Sequence, residues 1–513
     1  MRYVIGVDVG TGSARAGVFD DAGTMYATAQ CPIALHQPHA GWAEQSSTDI
    51  WKSVCTSVRE CLSVSGIDPQ AIEGISFSAT CSLVLLDTSD QPLLLSEGAQ
   101  LWDVVVWMDH RAVKEAEQIS ACGSTVLDNL GGTMSPEMQI PKLMWLKKHR
   151  VDLWERLGFA GDLADYLTYR CTGSNDRSVC TLGCKWTYNP DLNQWDHAFL
   201  AKVGLEDLLQ KGAIPEQAKP IGSVVGSLTS EAAEQLGLST SCHVATGLID
   251  AHAGALGTLG LFANDDIEKR MALIAGTSNC HITLSHTRQE VPGVWGPYAG
   301  AVVPSLWANE GGQSASGAAL DQVVALFAAG QQYGDDPHGN ISREIQDRLV
   351  KDQQFANDVH VLPDFIGNRS PFANPDLRGT ITGLTLEDQK ETFLKVYWAT
   401  AASIAYGTRL IIDTLNNNGY QISTIHLSGG HKKSELLVGL YSDATGCDVV
   451  LSSFEEPVLL GAAMAALLPT IVDQQMSTLS ENLKGEHLIR KPSASTAQYH
   501  AQRYKAFLKM YSD

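Results

Sequence analysis

The sequence has 513 residues, more than a single ordinary hydrophobic core accommodates, and it therefore predicts two large domains. Its apolar fraction of 44% and charged fraction of 18% are typical of a globular protein, while the formal net charge of −21 argues against nucleic acid and anionic membrane as partners. Because the sequence shows no run of about 18 apolar residues, no N-terminal signal pattern and only scattered cysteines, interpreted as reduced thiols, we expect a cytoplasmic protein without a membrane span.

The first predicted element is a β-hairpin with a tip rich in glycine and hydroxyl groups. The apolar run Val4–Val7 leads through Asp8 into the tip, Gly10–Ser13, and a second strand, Ala14–Phe19, follows. A dinucleotide-binding fold is disfavoured, because a strand rather than a helix follows the glycines and no third glycine lies three residues after Gly12. The sequence also contains no P-loop motif. Such a tip can still hold phosphate through its backbone N–H groups, its hydroxyls and the nearby cation of Arg15.

The position of Asp8 beside this tip needs an explanation, because a carboxylate repels a phosphate. A Mg²⁺ ion between the two groups would remove the repulsion, since Mg²⁺ is commonly bound by one or two carboxylates together with substrate phosphates. In the alternative interpretation the tip is an ordinary β-turn and Asp8 is hydrogen-bonded to loop amides. This segment by itself supports both interpretations equally.

The first half of the chain is predicted to continue with strands and helices. An amphipathic helix is expected near Thr48–Ser63, followed by strands at Ile72–Ser78, Leu83–Asp87 and Val104–Met108. The segment Gly212–Gly226 is rich in proline and glycine and is the candidate linker.

A second hairpin repeats the first one near the middle of the chain. Strand Met271–Ala275, turn Gly276–Asn279 and strand Cys280–Leu284 have the same succession of strand, Gly-Thr turn and strand. Two such hairpins predict a duplicated domain with a cleft between the copies. Ile274 occupies the place that Asp8 has in the first hairpin, so one copy would bind metal while both would bind phosphates.

The second half is predicted to end in a series of helices and strands. A long helix, Phe393–Asn418, precedes strand Ser423–Leu427, another strand lies at Cys447–Ser452, and a helix of small residues follows at Val458–Leu468. Roughly the last forty residues are polar, and we expect them to form a helical surface tail that packs back, with the first domain as one candidate surface.

Three further segments carry polar residues among glycines. Asp250 lies in "GLIDAHAGALG", where little side-chain bulk shields it, and could act as a general base toward a substrate hydroxyl; the alternative is a helix N-cap. His252 is interpreted as a hydrogen-bonded core histidine. Glu310 precedes a glycine-rich stretch, and Gly429-Gly430 lie between a strand and a helix, as an ordinary turn or as a phosphate and base site at the helix N-terminus.

Along nearly its whole length the chain resembles the FGGY family of carbohydrate kinases. The similarity is carried, in this order, by "GVDVGTGSARAGVFD", "VVVWMDHRA", "KLMWLKKH", "GLIDAHAGALG", "LIAGTSN", "EGGQSASG", "GNRSPFANPDLRGTITGL" and "LSGGHKKSEL". The resemblance implies an α/β fold of two actin/RNase H-like ATPase domains, at residues 1–245 and 246–513, with an active-site cleft between them. It also implies ATP and Mg²⁺ in that cleft, sugar deeper in the first domain, and domain closure on binding.

The resemblance implies roles for individual residues. Asp250 matches the catalytic base, and Asp8 and Asp250 would be the metal ligands. The nucleotide would be bound by Thr11, Gly12, Ser13, Arg15, Gly276, Thr277, Gly312, Gln313, Gly429, Gly430 and Ser434. The last of these stands where many members have asparagine. The sugar would be bound by Thr80, Cys81, Ser82, Trp107, Asp109, Lys185, Asp250 and Glu310. Asp109 could instead form a structural pair with Arg111.

The substrate is inferred from two short strings. Thr-Cys-Ser-Leu-Val, beginning at Thr80, differs from the Gln-x-His-Gly loop of xylulose kinases and the Arg-Glu pair of glycerol kinases, and resembles the D-ribulose kinase branch. "TLGCKW" resembles the ribulokinase stretch that supplies a substrate lysine, here Lys185. We therefore interpret the chain as an ATP-dependent kinase that converts D-ribulose to D-ribulose 5-phosphate, with a small sugar as its partner, no nucleic acid or membrane, and a homodimer left open. The alternatives are another kinase of the family, for L-ribulose, D-xylulose, ribitol or glycerol, and a non-catalytic actin-like nucleotide switch.

Overall fold

Each half of the chain is organised around one large mixed β-sheet. The computed structural model describes residues 2–98, 100–263, 266–471, 475–483 and 485–512. None of the helices in these ranges is both long and apolar enough to cross a membrane.

The first half contains the elements up to Leu259. Its strands are β1 (Tyr3–Val9), β2 (Ser13–Asp20), β3 (Met25–Pro32), β4 (Glu44–Gln45), β5 (Ile72–Ala79), β6 (Leu83–Asp87), β7 (Val104–Val105), β8 (Leu157–Asp162), β9 (Val224–Ser227), β10 (His243–Ala245) and β11 (Leu248–Ile249). Its helices are α1 (Ser47–Ser65), α2 (Val113–Ser120), α3 (Gln139–His149), α4 (Val151–Arg156), α5 (Leu163–Thr172), α6 (Val179–Lys185), α7 (His197–Lys202), α8 (Leu208–Lys211), α9 (Ser230–Leu236) and α10 (Asp250–Leu259).

The second half contains the remaining elements. Its strands are β12 (Arg270–Ala275), β13 (Asn279–Ser285), β14 (Trp295–Ala299), β15 (Trp307–Gln313), β16 (His360–Leu362), β17 (Thr380–Thr382), β18 (Thr424–Ser428), β19 (Asp448–Ser452) and β20 (His487–Arg490). Its helices are α11 (Gly317–Leu326), α12 (Pro337–Lys351), α13 (Gln389–Asn416), α14 (Glu435–Thr445), α15 (Pro457–Leu467), α16 (Met476–Asn482) and α17 (Ala497–Lys509).

The first sheet has the strand order β3-β2-β1-β5-β10-β9, and β11 also pairs with β5. The predicted hairpin is present: β1 and β2 are antiparallel, with Asp8 directly opposite Arg15. On the other side of β1 the neighbour β5 runs parallel to it, as does β10 to β5. Nearly every residue of β1 and β5 is buried, which is typical of parallel strands covered on both faces of the sheet.

The second sheet repeats this arrangement with the order β14-β15-β13-β12-β18-β19-β20. The hairpin of β12 and β13 is antiparallel, β15 pairs antiparallel to β13, and β18 and β19 run parallel to β12. In each sheet the first strand, β1 or β12, therefore has two antiparallel strands in succession on one side: β2 and β3, or β13 and β15. On its other side it has two parallel strands: β5 and β10, or β18 and β19. This repetition confirms the predicted duplication.

Helices α10 and α15 pack on each other and connect the two sheets. Although α15 is near the end of the chain, it packs on β1 and β5, whereas α10 packs on β12. The two backbones are so close that a Cβ on Gly461 would lie 1.9 Å from the carbonyl oxygen of Ala253, so this crossing requires glycine. Apolar residues of both helices belong to one core that extends into both halves.

Three expectations from the sequence need correction. The predicted strand Val104–Met108 is reduced to β7, because the N–H of Asp109 turns back to the carbonyl of Val106. The candidate linker ends in β9, which pairs with β10 at the edge of the first sheet, so it lies within the first half.

The third correction concerns the last helix, α17, whose principal contacts within the described part of the chain are with α13, α14 and β16 of the second half and not with the first domain. Its buried residues Tyr504 and Phe507 belong to the second-half core, and Arg503 donates to the carbonyls of Ala356 and Val359 at 2.8 and 2.7 Å. The division of the domains at residue 245 stays a prediction.

Candidate active site

A cavity of about 480 Å³ lies at the carboxyl ends of the parallel strands of the first sheet, and residues from both halves line it. Strands β1, β5 and β11 are paired side by side in parallel, so their carboxyl ends open on the same edge. Asp8, Thr80 and Asp250 stand at these three strand ends and all line the cavity. The carboxyl edge of such strands is where ligands of open α/β sheets bind.

Asp8 is buried at the cavity and forms an ion pair with Arg15, its opposite residue in the hairpin. Its second oxygen accepts a hydrogen bond from the Ser78 hydroxyl at 3.1 Å. Arg15 also binds Glu456, the residue before α15, at 3.2 Å. Burial acts to lower the pKa of Arg15, but the two acids outweigh it and raise the pKa. Arg15, which the sequence predicts to bind phosphate, thus joins two acids from opposite halves of the chain.

Asp250 is the first residue of α10 and is not its N-cap, which is Ile249. Its Oδ1 accepts the N–H of Ala251 at 2.7 Å. Burial, and then the charge of Asp8, raise the pKa of Asp250 from 3.8 to about 6. A carboxylate with a pKa closer to neutrality is a stronger base than an ordinary aspartate, which suits proton abstraction from a hydroxyl.

Glycine turns from both halves border the same cavity. In the two hairpin tips the N–H of Gly10 donates to the carbonyl of Ser13, and that of Gly276 to the carbonyl of Ser278, each at 3.0 Å. A third turn begins at Gly429, whose φ is 83° and whose Cβ position lies 2.3 Å from the carbonyl oxygen of Ala275. Only glycine allows this contact, which seats the third turn on the second hairpin. Backbone amides in such turns suit an anionic ligand.

Lys185 and Glu310 form a buried ion pair, with 3.3 Å between Nζ and Oε2, and both line the cavity. The ammonium also lies 4.3 Å from the centre of the Trp295 ring. Burial opposes both charges, but Glu310 raises the pKa of Lys185, and Lys185 together with His252 lowers the pKa of Glu310. Both groups therefore stay ionised, and the cavity has charged donors and acceptors for neutral hydroxyls.

The loop after β5 adds uncharged groups. Thr80 and Cys81 line the cavity, and the Ser82 hydroxyl lies behind them, 3.0 Å from that of Thr80. Ser82 accepts the N–H of Trp107 at 3.2 Å, and the indole N–H of Trp107 donates to the Thr11 hydroxyl at 3.0 Å. This chain of contacts connects the loop predicted for sugar with the tip predicted for phosphate.

Two residues predicted for ligand contact have structural partners instead. Asp109 is fully buried away from the cavity and accepts hydrogen bonds from Arg111 at 2.8 Å, so the structure has the structural pair left open by the sequence. The side chain of Gln313 accepts from Asn279 at 2.8 Å and donates to the carbonyl of Ile404 at 3.0 Å. It holds β13, β15 and α13 together and does not line the cavity.

Four other residues that were predicted for the nucleotide also lie outside the cavity surface. They are Gly12, Ser13, Gly312 and Ser434. Gly12 is exposed at the hairpin tip, and Ser434 is the N-cap of α14. Gly312 lies directly against the side chain of Arg369. A nucleotide role for these four residues stays a prediction.

Sequence reasoning missed several residues of the cavity. Glu137, Trp295 and Arg369 line it near Lys185 and Glu310. The sequence could have indicated Arg369, because it lies in "GNRSPFANPDLRGTITGL", one of the segments that carry the family resemblance. Nothing in the local sequence distinguishes Glu137 from an ordinary surface acid.

The identity of the fold follows from comparison with family models. The N-terminal domain model of the FGGY family of carbohydrate kinases matches residues 3–257, and the C-terminal domain model of that family matches residues 271–469. The chain belongs to the FGGY family. The two models thus cover the first sheet, the second sheet apart from β20, and the residues that line the cavity.

Similar proteins and structures agree with this membership. An FGGY carbohydrate kinase domain-containing protein of Danio rerio is 40% identical over an alignment of 533 positions, which covers 99% of this chain and 97% of that protein. A D-ribulokinase of Saccharomyces cerevisiae is 35% identical over an alignment of 510 positions, which covers 90% of this chain and 71% of that protein. The crystal structure of xylulose kinase from Rhodospirillum rubrum superposes with a TM-score of 0.79 at 24% identity, covering 100% of this chain and 98% of that one. This likeness confirms the predicted two-domain α/β fold.

Proposed function

We propose that this FGGY-family chain transfers the γ-phosphate of ATP to the primary hydroxyl of a pentulose, with D-ribulose as the preferred substrate. The observation that carries the proposal is the setting of Asp250, which shares one cavity with Asp8, with the glycine turns and with the Lys185–Glu310 pair. Phosphoryl transfer to a sugar needs a base, backbone turns that bind phosphate, and charged groups that bind the sugar hydroxyls.

The residues present fit a magnesium ion bound together with the phosphates. Asp8 and Asp250 offer hard oxygen ligands to one cavity, and the charge of Asp8 contributes to the raised pKa of Asp250. The two carboxylates therefore repel each other, and a divalent cation would relieve that repulsion. When bound, the ion would supply charge neutralisation for the phosphate oxygens.

Asp250 would accept the proton of the primary hydroxyl as that oxygen attacks the γ-phosphorus. With a pKa of about 6, this carboxylate is mostly ionised near neutral pH and is a stronger base than an exposed aspartate. Backbone N–H groups of the turns at Gly10 and Gly276 would hold the phosphates in line with the hydroxyl, and closure of the cavity would exclude water.

Lys185 and Glu310 would bind hydroxyl groups of a neutral sugar through charged hydrogen bonds, because both stay ionised at the cavity surface. Thr80 would add an uncharged hydroxyl. The preference for D-ribulose is supported by the loop string beginning at Thr80 and by the yeast relative that is named a D-ribulokinase.

The proposal is tested by the release of ADP from the purified protein with ATP, Mg²⁺ and a panel of D-ribulose, L-ribulose, D-xylulose, ribitol and glycerol. We expect the highest kcat/KM for D-ribulose and a phosphate on its primary carbon by ³¹P NMR. ADP release that no sugar of the panel raises above the rate with ATP alone would contradict the kinase proposal. A higher kcat/KM for another sugar would contradict only the choice of D-ribulose.

A further inference from the structure

The carboxylate of Glu310 is held from behind by two donors on the same oxygen. Lys185 Nζ lies 3.3 Å and His252 Nε2 lies 3.2 Å from Oε2. Within the described residues, both hydrogen bonds to this carboxylate fall on Oε2, while the side chain lines the cavity. The other oxygen, Oε1, is the one that a ligand can use.

The surroundings of His252 determine which ring nitrogen carries a proton toward Glu310. The ring is fully buried, and its Nδ1 lies 3.2 Å from the sulfur of Cys180. That sulfur also accepts the N–H of Ile249 at 3.4 Å. A carboxylate can only accept, so Nε2 must donate to Glu310, whether the second proton is on Nδ1 or on the sulfur. The tautomer and the orientation of the ring are thus fixed from both sides.

The charges support the same arrangement. Burial acts to raise the pKa of Glu310, but Lys185 and His252 lower it overall. The carboxylate is therefore ionised and is held by two donors, one of which, the Lys185 ammonium, lies over the ring of Trp295. Its orientation is set before any ligand arrives.

We propose that His252 is a positioning residue for sugar recognition, which orients the Glu310 carboxylate so that Oε1 faces the sugar hydroxyls. The sulfur of Cys180 holds the imidazole in that orientation. The inference rests on the proposed function, since it takes Glu310 as a sugar-binding residue. His252 and Asp250 lie two residues apart on α10. One helix therefore carries both the proposed catalytic base and the residue that orients the Glu310 carboxylate toward the sugar hydroxyls.

A matched pair of variants tests this role. Glutamine can place its N–H group near the position of Nε2, whereas asparagine reaches only the position of Nδ1. We expect His252→Asn to raise the KM for D-ribulose, or for the best sugar of the panel, roughly 10- to 100-fold. The KM for ATP should stay within about twofold of wild type, and His252→Gln should restore most of the sugar KM.

A double variant separates positioning from a general loss of structure. If His252 acts through Glu310, adding His252→Asn to Glu310→Gln should raise the sugar KM no further than Glu310→Gln alone. A sugar KM unchanged in His252→Asn, or additive effects in the double variant, would overturn the proposal. Equal increases in the KM for ATP and for sugar would also overturn it, because a folding defect affects both.

A second readout does not depend on catalysis. In ¹⁵N-histidine NMR of the wild-type protein we expect a resonance of His252 with a proton on Nε2, assigned by its loss in His252→Asn and shifted in Glu310→Gln. An Nε2 without a proton would overturn the proposed hydrogen bond. A protein with this resonance but no turnover of any pentulose would contradict the proposed function and leave the geometry intact.

Discussion

Arg369 donates from one guanidinium nitrogen to both carboxylate oxygens of Glu137, at 3.1 Å each, and so joins the two halves of the chain at the cavity. Its guanidinium also lies 5.4 Å from the centre of the Trp295 ring. Burial acts to lower the pKa of Arg369, but Glu137 and other neighbours raise it overall. This ion pair lines the cavity near Lys185, since both Arg369 and Lys185 lie against Trp295, and separating the halves would break it.

Glu137→Gln should lower both thermal stability and the affinity for sugar, because it leaves the Arg369 cation largely buried without its partner. Removing one member of a buried ion pair costs about 3 kcal/mol, whereas an exposed pair is worth less than about 1 kcal/mol. The matched control is Glu290→Gln, which breaks the exposed pair with Arg288. Differential scanning calorimetry should show a clear drop in Tm for Glu137→Gln alone, and equal shifts in the two variants would contradict the expectation.

Asp250→Asn should abolish most sugar phosphorylation while the fold and ATP binding remain. Loss of a general base lowers kcat on the order of 10²- to 10⁴-fold. The exposed Asp128→Asn is the control for a change of one charge. Steady-state kinetics with titration of ATP check the result, and a variant that keeps more than about a tenth of the wild-type kcat would refute the role of Asp250 as base.

The raised pKa of Asp250 also predicts how the stability of the protein depends on pH. Its pKa of about 6 in the folded protein lies above the ordinary value of 3.8, so folding favours the protonated form. The stabilisation from this group is complete below pH 3.8 and is lost as the pH rises through about 6. Asp250→Asn should therefore melt higher than wild type at about pH 7.5, and by a smaller margin at about pH 5. Thermal melts at the two pH values test this prediction. A difference in Tm between the variant and wild type that is larger at about pH 5 than at about pH 7.5 would contradict it.

The two hairpins show what local sequence can predict. The bounds of β1 and β12 fall within a few residues of the expected ones, because buried apolar runs and glycine turns are local patterns. The pairing of β1 with β5 and β11, which brings Asp8 next to Asp250, depends on contacts between distant segments. Periodicity carries no information about such contacts, and only the family resemblance indicated that the two acids meet.

Individual acids of the site show where the sequence stops being informative. For Asp109 the sequence offered both a sugar contact and a pair with Arg111, and only the structure shows that its carboxylate binds Arg111. Glu137 received no prediction, since its partner Arg369 is 232 residues away in the chain. His252 was interpreted as a hydrogen-bonded core histidine, which its burial bears out. Its contact with Glu310 spans 58 residues, so a positioning role could be inferred only from the fold.

Asp8→Ala should weaken the binding of ATP in the presence of Mg²⁺ more than it weakens sugar binding. Removal of a proposed metal ligand should cost at least about tenfold in affinity, while Lys185 and Glu310 remain in place. Calorimetric titrations of ATP with and without Mg²⁺ measure the difference. The control is Glu456→Gln, which removes the other acid that binds Arg15 and leaves Asp8 intact. A metal requirement that is unchanged in Asp8→Ala would eliminate Asp8 as a ligand.

The loop at Thr80 and the ion pair beside it favour a neutral ligand with several hydroxyls. Thr80 offers a hydroxyl to the cavity and no charge, with the Ser82 hydroxyl behind it. Lys185 and Glu310 supply a charged donor and a charged acceptor. A site built to hydrogen-bond particular hydroxyls rejects a ligand that lacks them, because its own polar groups are then left unpaired.

We therefore expect kcat/KM for D-ribulose to exceed that for glycerol at least about 100-fold, and that for D-xylulose by a smaller factor, since only one hydroxyl is inverted. Lys185→Ala should raise the KM for D-ribulose roughly 10- to 100-fold and leave the KM for ATP nearly unchanged, because Lys185 contacts Glu310 and Trp295. The exposed Lys114→Ala is the matched control. Equal kcat/KM for glycerol and D-ribulose would contradict a pentulose site, and equal values for the two pentuloses would contradict recognition of the inverted hydroxyl.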